Sequence, residues 1–315
     1  MAQARGYKAT LTMDTETTFG VDPATKAGKR LPINSFDIKP SRTKNQAQTL
    51  TGSRNPAEPF DGNVAVSGSV AVPVDAVAFG HWLKALFGAP TTTGTTTKTH
   101  TFKIGDTQPS LVLDVNYGAS PAVYGKANGC KVSKLSMKVG GDGELVADIG
   151  VEGANMTFGS TAYDDAATAV ALSSRFGNFQ AAVKEGGVTV ATVTDFSFEI
   201  NPGLDTSVYV LNGTGTRGDI PEGIMACSGT LTVLFADTAL LTKAQNSTET
   251  SLELTFTNGA NILKITFPEA QLQFTGPGVS GPAGVRLELP WIAYHGDDAG
   301  ASAVKVELTN NVTSY

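Results

Sequence analysis

Three histidines, His81, His100 and His295, are the first residues of this sequence that could bind a metal or move a proton. None stands in an H-x-x-x-H pair or at His-Cys spacing, so each reads as structural: His81 beside Trp82 in a helix, His100 in a Thr-rich loop, His295 at a strand end. The acidic pairs Asp164-Asp165 and Asp297-Asp298 are adjacent in sequence. Adjacent carboxylates do not both project into one cleft, as a glycosidase acid and nucleophile must. The segment "HGDDAG" (295–300) lacks the alternating oxygen ligands of an EF-hand loop and reads as a solvated turn. No serine sits in a G-x-S-x-G elbow, and the glycines of "GGDG" and "GTGTRGD" do not lie between a strand and a helix as a phosphate cradle requires. The RGD tripeptide, Arg217 to Asp219, is too short a match to mark adhesion. These residues predict no catalytic group, no metal and no cofactor.

Cys130 and Cys227 fall outside any C-x-x-C pair and sit in β-like runs, where a thiol packs as a small reduced hydrophobe. The chain of 315 residues has room for two ordinary domains, and its 35 glycines, many Thr and Val and only 17% charged residues point to a β-rich protein with many turns. A net charge of -6 argues against a protein that grips nucleic acid, which needs clustered Lys and Arg. The nearest approach, "TKAGKR" ending at Arg30, reads as a solvated loop. No apolar run is long enough to span a bilayer, and "MAQARGYKAT" lacks the apolar middle of a secretion signal.

The elements that would position anything here come in two copies. "SGSVAVPVDAVAF" (67–79) returns as "SGTLTVLFADTAL" (228–240), and "SLVLDVNYGA" (110–119) as "SLELTFTNGA" (251–260). "NSFDIKP" (34–40) answers "DFSFEINP" (195–202), and "GSR" at Gly52 answers "GTR" at Gly215, in the same order. The first copy carries an insert that includes the Thr-rich 89–102, which reads as a surface loop or hairpin arm. The join falls near 159–174, giving domains of 1–165 and 166–315. Alternating stretches such as "FDIK" and "FSFEI" predict half-buried strands, with further strands at 111–115, 131–139, 144–151, 252–256, 262–267, 271–274, 285–294 and from Ala303. "DAVAFGHWLKALFGA" predicts a helix capped by Asp75 and stopped by Gly88, with "DTALLTKAQ" its shorter counterpart. "GGDGE" (140–144) predicts a hairpin turn. The expected fold is mainly β, each copy a sandwich or half-open barrel with one helix.

"TETTFG" (15–20), "LPINSFDIKP", the Arg54 segment leading to "VSGSV", "SGTLTVLFADTAL", "LKITFPEAQLQF" and "LPWIAYHGDDAG" together resemble the tail tube proteins of long-tailed bacteriophages over nearly the whole chain. The departures are the Thr-rich insert and Phe19, where Tyr is common in such proteins. The resemblance implies a non-enzymatic virion protein, made in the host bacterial cytoplasm, whose rings stack into a hollow tube that conducts the genome, and it favours a non-contractile tail. It implies as partners other copies of the chain, a tape-measure protein, a tail terminator, tail-tip proteins and double-stranded DNA that passes without specific binding. Tube rings are ordinarily six-fold, so a tandem-domain chain implies a homotrimer forming a pseudo-hexameric ring that closes a multi-chain β-barrel.

Elementary geometry agrees with that form. A half-open sandwich leaves strand edges unpaired, and closure across subunits pairs them. Four strands per copy give roughly 24 in the ring, a barrel on the order of 45 Å between backbones. A bore that lets DNA slide should carry few exposed cations. The polar strand positions Asp37, Asp148, Glu199 and Glu288 are the candidates to face the bore, and Lys134 and Lys138, on one strand face, could bridge to carboxylates of a neighbouring ring. The arm up to Arg30, the loop around Asn55 to Pro59 and the insert from Thr91 to Thr99 are the candidates for ring stacking. The other class open to this composition is a carbohydrate-binding β-sandwich module, which would need an exposed aromatic platform; a hydrolase would need a convergent catalytic cluster.

Overall fold

The computed structural model describes residues 3–279, 281–296 and 302–315. The protein is mainly β, and the described residues include two α-helices, Phe79–Phe87 and Ala239–Gln245, among strands in two packed layers. The first unit runs Thr10–Thr15, Ser35–Phe36 with Lys39–Asn45, Phe60–Pro73, the first helix, Leu111–Asn116, Tyr124–Val139, Val146–Gly153 and Asn155–Gly159. The second repeats that order as Ala181–Glu185, Val193–Asn201, Ala226–Leu234, the second helix, Glu249–Asn258, Asn261–Leu272, Arg286–Ala293 and Lys305–Asn310.

Pairing repeats along with order. One layer of each unit joins its first, fourth, fifth and last strands; the other joins its second, third, sixth and again the fifth. The fifth strand, 124–139 or 261–272, is long enough to serve both layers. Neither unit closes on itself into a barrel.

Alternation sets the two faces. In Val193–Asn201, Phe196, Phe198 and Ile200 are buried while Glu199 and Asn201 are exposed. Trp291 clamps the layers of the second unit, its ring centre 4.5 Å from that of Phe267 and 5.5 Å from that of Phe196, both pairs tilted; aromatic pairs at such distances add about 1 kcal/mol to burial. The first helix forms where its sequence predicts: Asp75 Oδ1 accepts the Phe79 N–H at 2.9 Å, and Gly88 ends it with φ 85° and an N–H bonded to the Lys84 carbonyl. Trp82, Leu83, Leu86 and Phe87 fill the core beneath it.

The Thr-rich insert forms a hairpin, Thr91–Thr93 with Lys98–Lys103, but not a free arm. Its second strand pairs along Lys305–Asn310, so the first unit's insert extends the second unit's outer layer. His100 is therefore not a loop residue: it is fully buried, bonded to Thr92 Oγ1 at 2.9 Å and close to Asn310 Oδ1. The segment between the units is pinned to the first unit, with Tyr163 O–H donating to Asp14 and Asp164 accepting the Gly28 N–H.

Candidate functional site

The inner layers of the two units are one sheet. The strand Tyr124–Val139 of the first unit pairs antiparallel with Val193–Asn201 of the second, Leu135 opposite Ile200 and Met137 opposite Phe198. Eight strand segments are thereby laid side by side, and one cross-strand row runs Ser35, Ala71, Asp148, Ser136, Glu199, Ser228, Ile292, Gln271. The neighbouring row, from Phe36 and Val70 through Ile149, Leu135, Ile200 and Cys227 to Ala293 and Ala270, faces the core. In this sheet a core face alternates with a largely polar face, on which Ile292 and Leu234 are also exposed.

Asp37, Asp148, Glu199 and Glu288 all lie on that polar face. Lys39, Lys134, Lys138 and Arg286 share it. The face is mixed in charge and partly self-neutralised, Lys39 pairing with Asp37 and Lys134 with Asp148 at 3.6 Å. Exposed pairs of this kind contribute little to stability; their effect is to leave no strong field of either sign.

The sheet has two outer edges. Among the described residues, no strand pairs with the far side of 35–45, nor of 270–272 where that segment runs on past Leu272. The Gln273 N–H still bonds to the Pro290 carbonyl at 2.7 Å, so the ladder continues towards Phe274.

A close approach fixes how the units correspond. A Cβ on Gly68 would lie 2.1 Å from the Asp37 carbonyl oxygen, and one on Gly229 would lie 2.0 Å from that of Ser197. Only glycine fits either place. This equates Phe36 with Phe196 and Pro40 with Ile200, a shift of two residues from the echo in the sequence, which aligns Asp37 with Glu199. Leu135 and its counterpart Phe274 then differ sharply: Leu135 is 1% exposed and Phe274 60%. Phe196 and Ile200 are buried at the junction, while Phe36 and Pro40 are half-buried at the edge.

A second contact secures the junction. The loop between Asn201 and Ala226 folds back over the first unit, where Arg217 is 7% exposed. Its guanidinium donates to the carbonyls of Gly153 (2.8 Å) and Thr206 (2.9 Å) and to Glu152 Oε2 (3.0 Å). Further along, Lys131 donates to the Ile220 carbonyl and to Glu222 Oε1, both at 2.8 Å. Burial opposes the charged form of Glu222, but Lys131 and the Gln108 amide outweigh it and hold its carboxyl below the ordinary value. The RGD arginine is thus a structural pin.

The stacking candidates are spread out. Arg30 lies in the strand Lys29–Leu31, paired with Thr10–Thr15. Asn55 and Pro59 lie in the loop 46–59 beyond the hairpin of Lys39–Asn45 and Phe60–Pro73. Thr91 is exposed on the insert hairpin, and Thr99 Oγ1 bonds Thr309 Oγ1 at 3.1 Å. Asp297 and Asp298 lie outside the described residues. Among the described residues no group of three His, Cys, Asp or Glu could hold a metal ion. Cys130 and Cys227 are free and buried, and burial pushes the Cys227 thiol up to about 12. Sequence reasoning missed Arg217, Lys131 and Glu222; the one signal available was the Gly-x-Arg echo.

These features, a duplicated two-layer unit joined edge to edge through one polar-faced sheet, accompany a match of residues 6–293 to the family model described as phage tail tube protein. The chain belongs to that family. No curated protein matches it. Tail tube membership makes it a structural component of a phage tail that assembles with itself into a tube, and it accounts for a β-rich chain whose inner sheet ends in open edges.

Proposed function

We propose that three chains close their inner sheets edge to edge into a ring of six units, and that stacked rings form the tail tube through which double-stranded DNA leaves the virion for the host cell. The observation that carries this reading is the pairing of Leu135 with Ile200: two units of one chain already make the edge contact that a ring requires. The same step taken between chains sets Phe274 against Pro40 and covers both. Burying Phe274 would contribute about 2 kcal/mol per contact from apolar area alone, and the newly paired backbone groups remove two aggregation-prone edges.

The polar face carrying Asp37, Asp148, Glu199 and Glu288 lines the bore in this reading. Its mixed, internally paired charge gives passing DNA no run of cations to hold, so phosphate contacts remain few and transient. The segment up to Arg30 and the hairpin from Thr91 to Thr99 are assigned to contacts between rings. A tape-measure protein inside the bore during assembly, and terminator and tail-tip proteins at the two ends, complete the partner set, with the chain made in the bacterial cytoplasm. The carbohydrate-binding alternative loses the two residues best suited to a sugar platform: Trp82 and Trp291 are each 1% exposed.

Light-scattering mass and negative-stain microscopy across concentration test the proposal. Hollow tubes whose averaged rings show six lobes from three chains are expected. Chains that stay monomeric at every concentration, with tail-tip proteins present as well, would overturn it.

A further inference from the structure

The loop 46–59 stands in the first unit where the loop pinned by Arg217 stands in the second. Both carry Gly-x-Arg, and both glycines have the same left-handed backbone: Gly52 has φ 74° and Gly215 φ 70°. The second-unit loop has a partner, the first unit of its own chain, on the side of the sheet edge from which it springs. The Val64 N–H donates to the Gly215 carbonyl at 2.8 Å, and Arg217 caps the carbonyl of Gly153. The first-unit loop is exposed over most of its length, with Arg54 its only cation and nothing within 4 Å of where a Gly52 Cβ would be. It is a docking element already in its docked backbone form at the glycine, without the surface it fits.

From this geometry we infer that the loop 46–59 docks sideways, within the ring, on the second unit of the adjacent chain, with Arg54 repeating the part of Arg217. The inference rests on the ring reading above. The receiving surface follows from the correspondence of the units: the carbonyls of Gly153 and Val66, the second 3.4 Å from the Arg217 guanidinium, become those of Ala293 and Cys227, and Asn63, against which Gly215 packs, becomes Ile224. Ile224 is 94% exposed in the single chain and would be covered by the docked loop. The carboxylate at Glu152 has no copy, since Ile292 stands there. Charge is supplied instead by Glu249, an exposed residue on the strand beside this corner, which already accepts the Tyr294 hydroxyl. Asn55 and Pro59 then belong to the seam between chains rather than to the contact between rings.

The test is the full-length chain carrying Ser53→Cys and Ile224→Cys, assembled and then oxidised. The native Cys130 and Cys227 are buried, and each single-cysteine variant serves as its control. Sideways docking predicts a covalent ladder that stops at three chains, because each chain links to the next around a closed ring. Arg54→Ala should raise the concentration for half-assembly about tenfold or more, the loss of one charge-assisted contact, while Arg54→Lys recovers only part of it. A ladder that continues beyond three chains means docking along the axis and overturns the inference. So do normal three-chain tubes with no cross-link, which leave the ring reading standing. Failure of the unmodified chain to assemble removes both.

Discussion

Leu135 and Ile200 face each other across the ladder that joins the two units, and both are buried. The counterpart of Leu135 is Phe274, and that of Ile200 is Pro40; neither is fully buried in the single chain. An interface used once inside the chain is present a second time as two separated halves.

Phe274→Glu should therefore abolish assembly and leave the fold alone. The side chain is 60% exposed, so the isolated chain should keep its stability within about 0.5 kcal/mol. In the ring the carboxylate would be buried without a partner. Urea unfolding of the monomer and light-scattering mass of the assembled sample check the two halves of this statement.

Arg217→Ala should act inside the chain. It removes a buried guanidinium from three main-chain carbonyls, those of Thr206, Gly153 and Val66, and strands Glu152, at a cost of about 3 kcal/mol in urea unfolding. Arg217→Lys should recover little of this, because one ammonium cannot reach Thr206, Gly153 and Glu152 together.

Much of this was legible beforehand. The order of echoes is the order in which the strands repeat, and the alternation in "FSFEI" separated Glu199 from the buried Phe196, Phe198 and Ile200. The Asp75 cap and Gly88 stop delimited the first helix. What could not be read is register. The echo of "FDIK" in "FEIN" aligns Asp37 with Glu199, whereas the close approach at Gly68 and Gly229 aligns Asp37 with Ser197. A shift of two keeps every side chain on its own face, so no hydrophobic pattern reports it. His100 was misplaced for a related reason: a Thr-rich run has both turn and strand character, and only the distant strand Lys305–Asn310 decides between them. The docking of Arg217 depends on the fold of a loop with no periodicity at all.

Tyr315 packs edge-on against His81 and His100, with ring centres 5.2 and 4.7 Å away, and its hydroxyl accepts from Asn310 Nδ2 at 2.7 Å. Tyr315→Ala should cost about 2 kcal/mol. Gly80→Ala should cost a similar amount through the same ring, since the new Cβ would lie 2.2 Å from it. The double variant should be less destabilised than the sum, which a double-mutant cycle measures.

Burial beneath Tyr315, with Lys29 and Lys84 nearby, lowers the His81 imidazole to about 4. The unfolded chain then binds the extra proton first. The His81 contribution is present in full above its unfolded value near pH 6.5 and is lost as pH falls towards 4, by at most about 3 kcal/mol. Stability measured from pH 7 to 4 should fall less steeply in His81→Gln than in the parent chain.

The central claim is that the inner sheet continues from chain to chain by the step it already takes within one. A cryo-electron-microscopy reconstruction of the assembled tube measures this directly. The account predicts three chains per ring, one unbroken barrel of about 24 strands, and Phe274 of each chain beside Pro40 of the next. Six chains per ring, or a break in the barrel between Phe274 and Pro40, would contradict it.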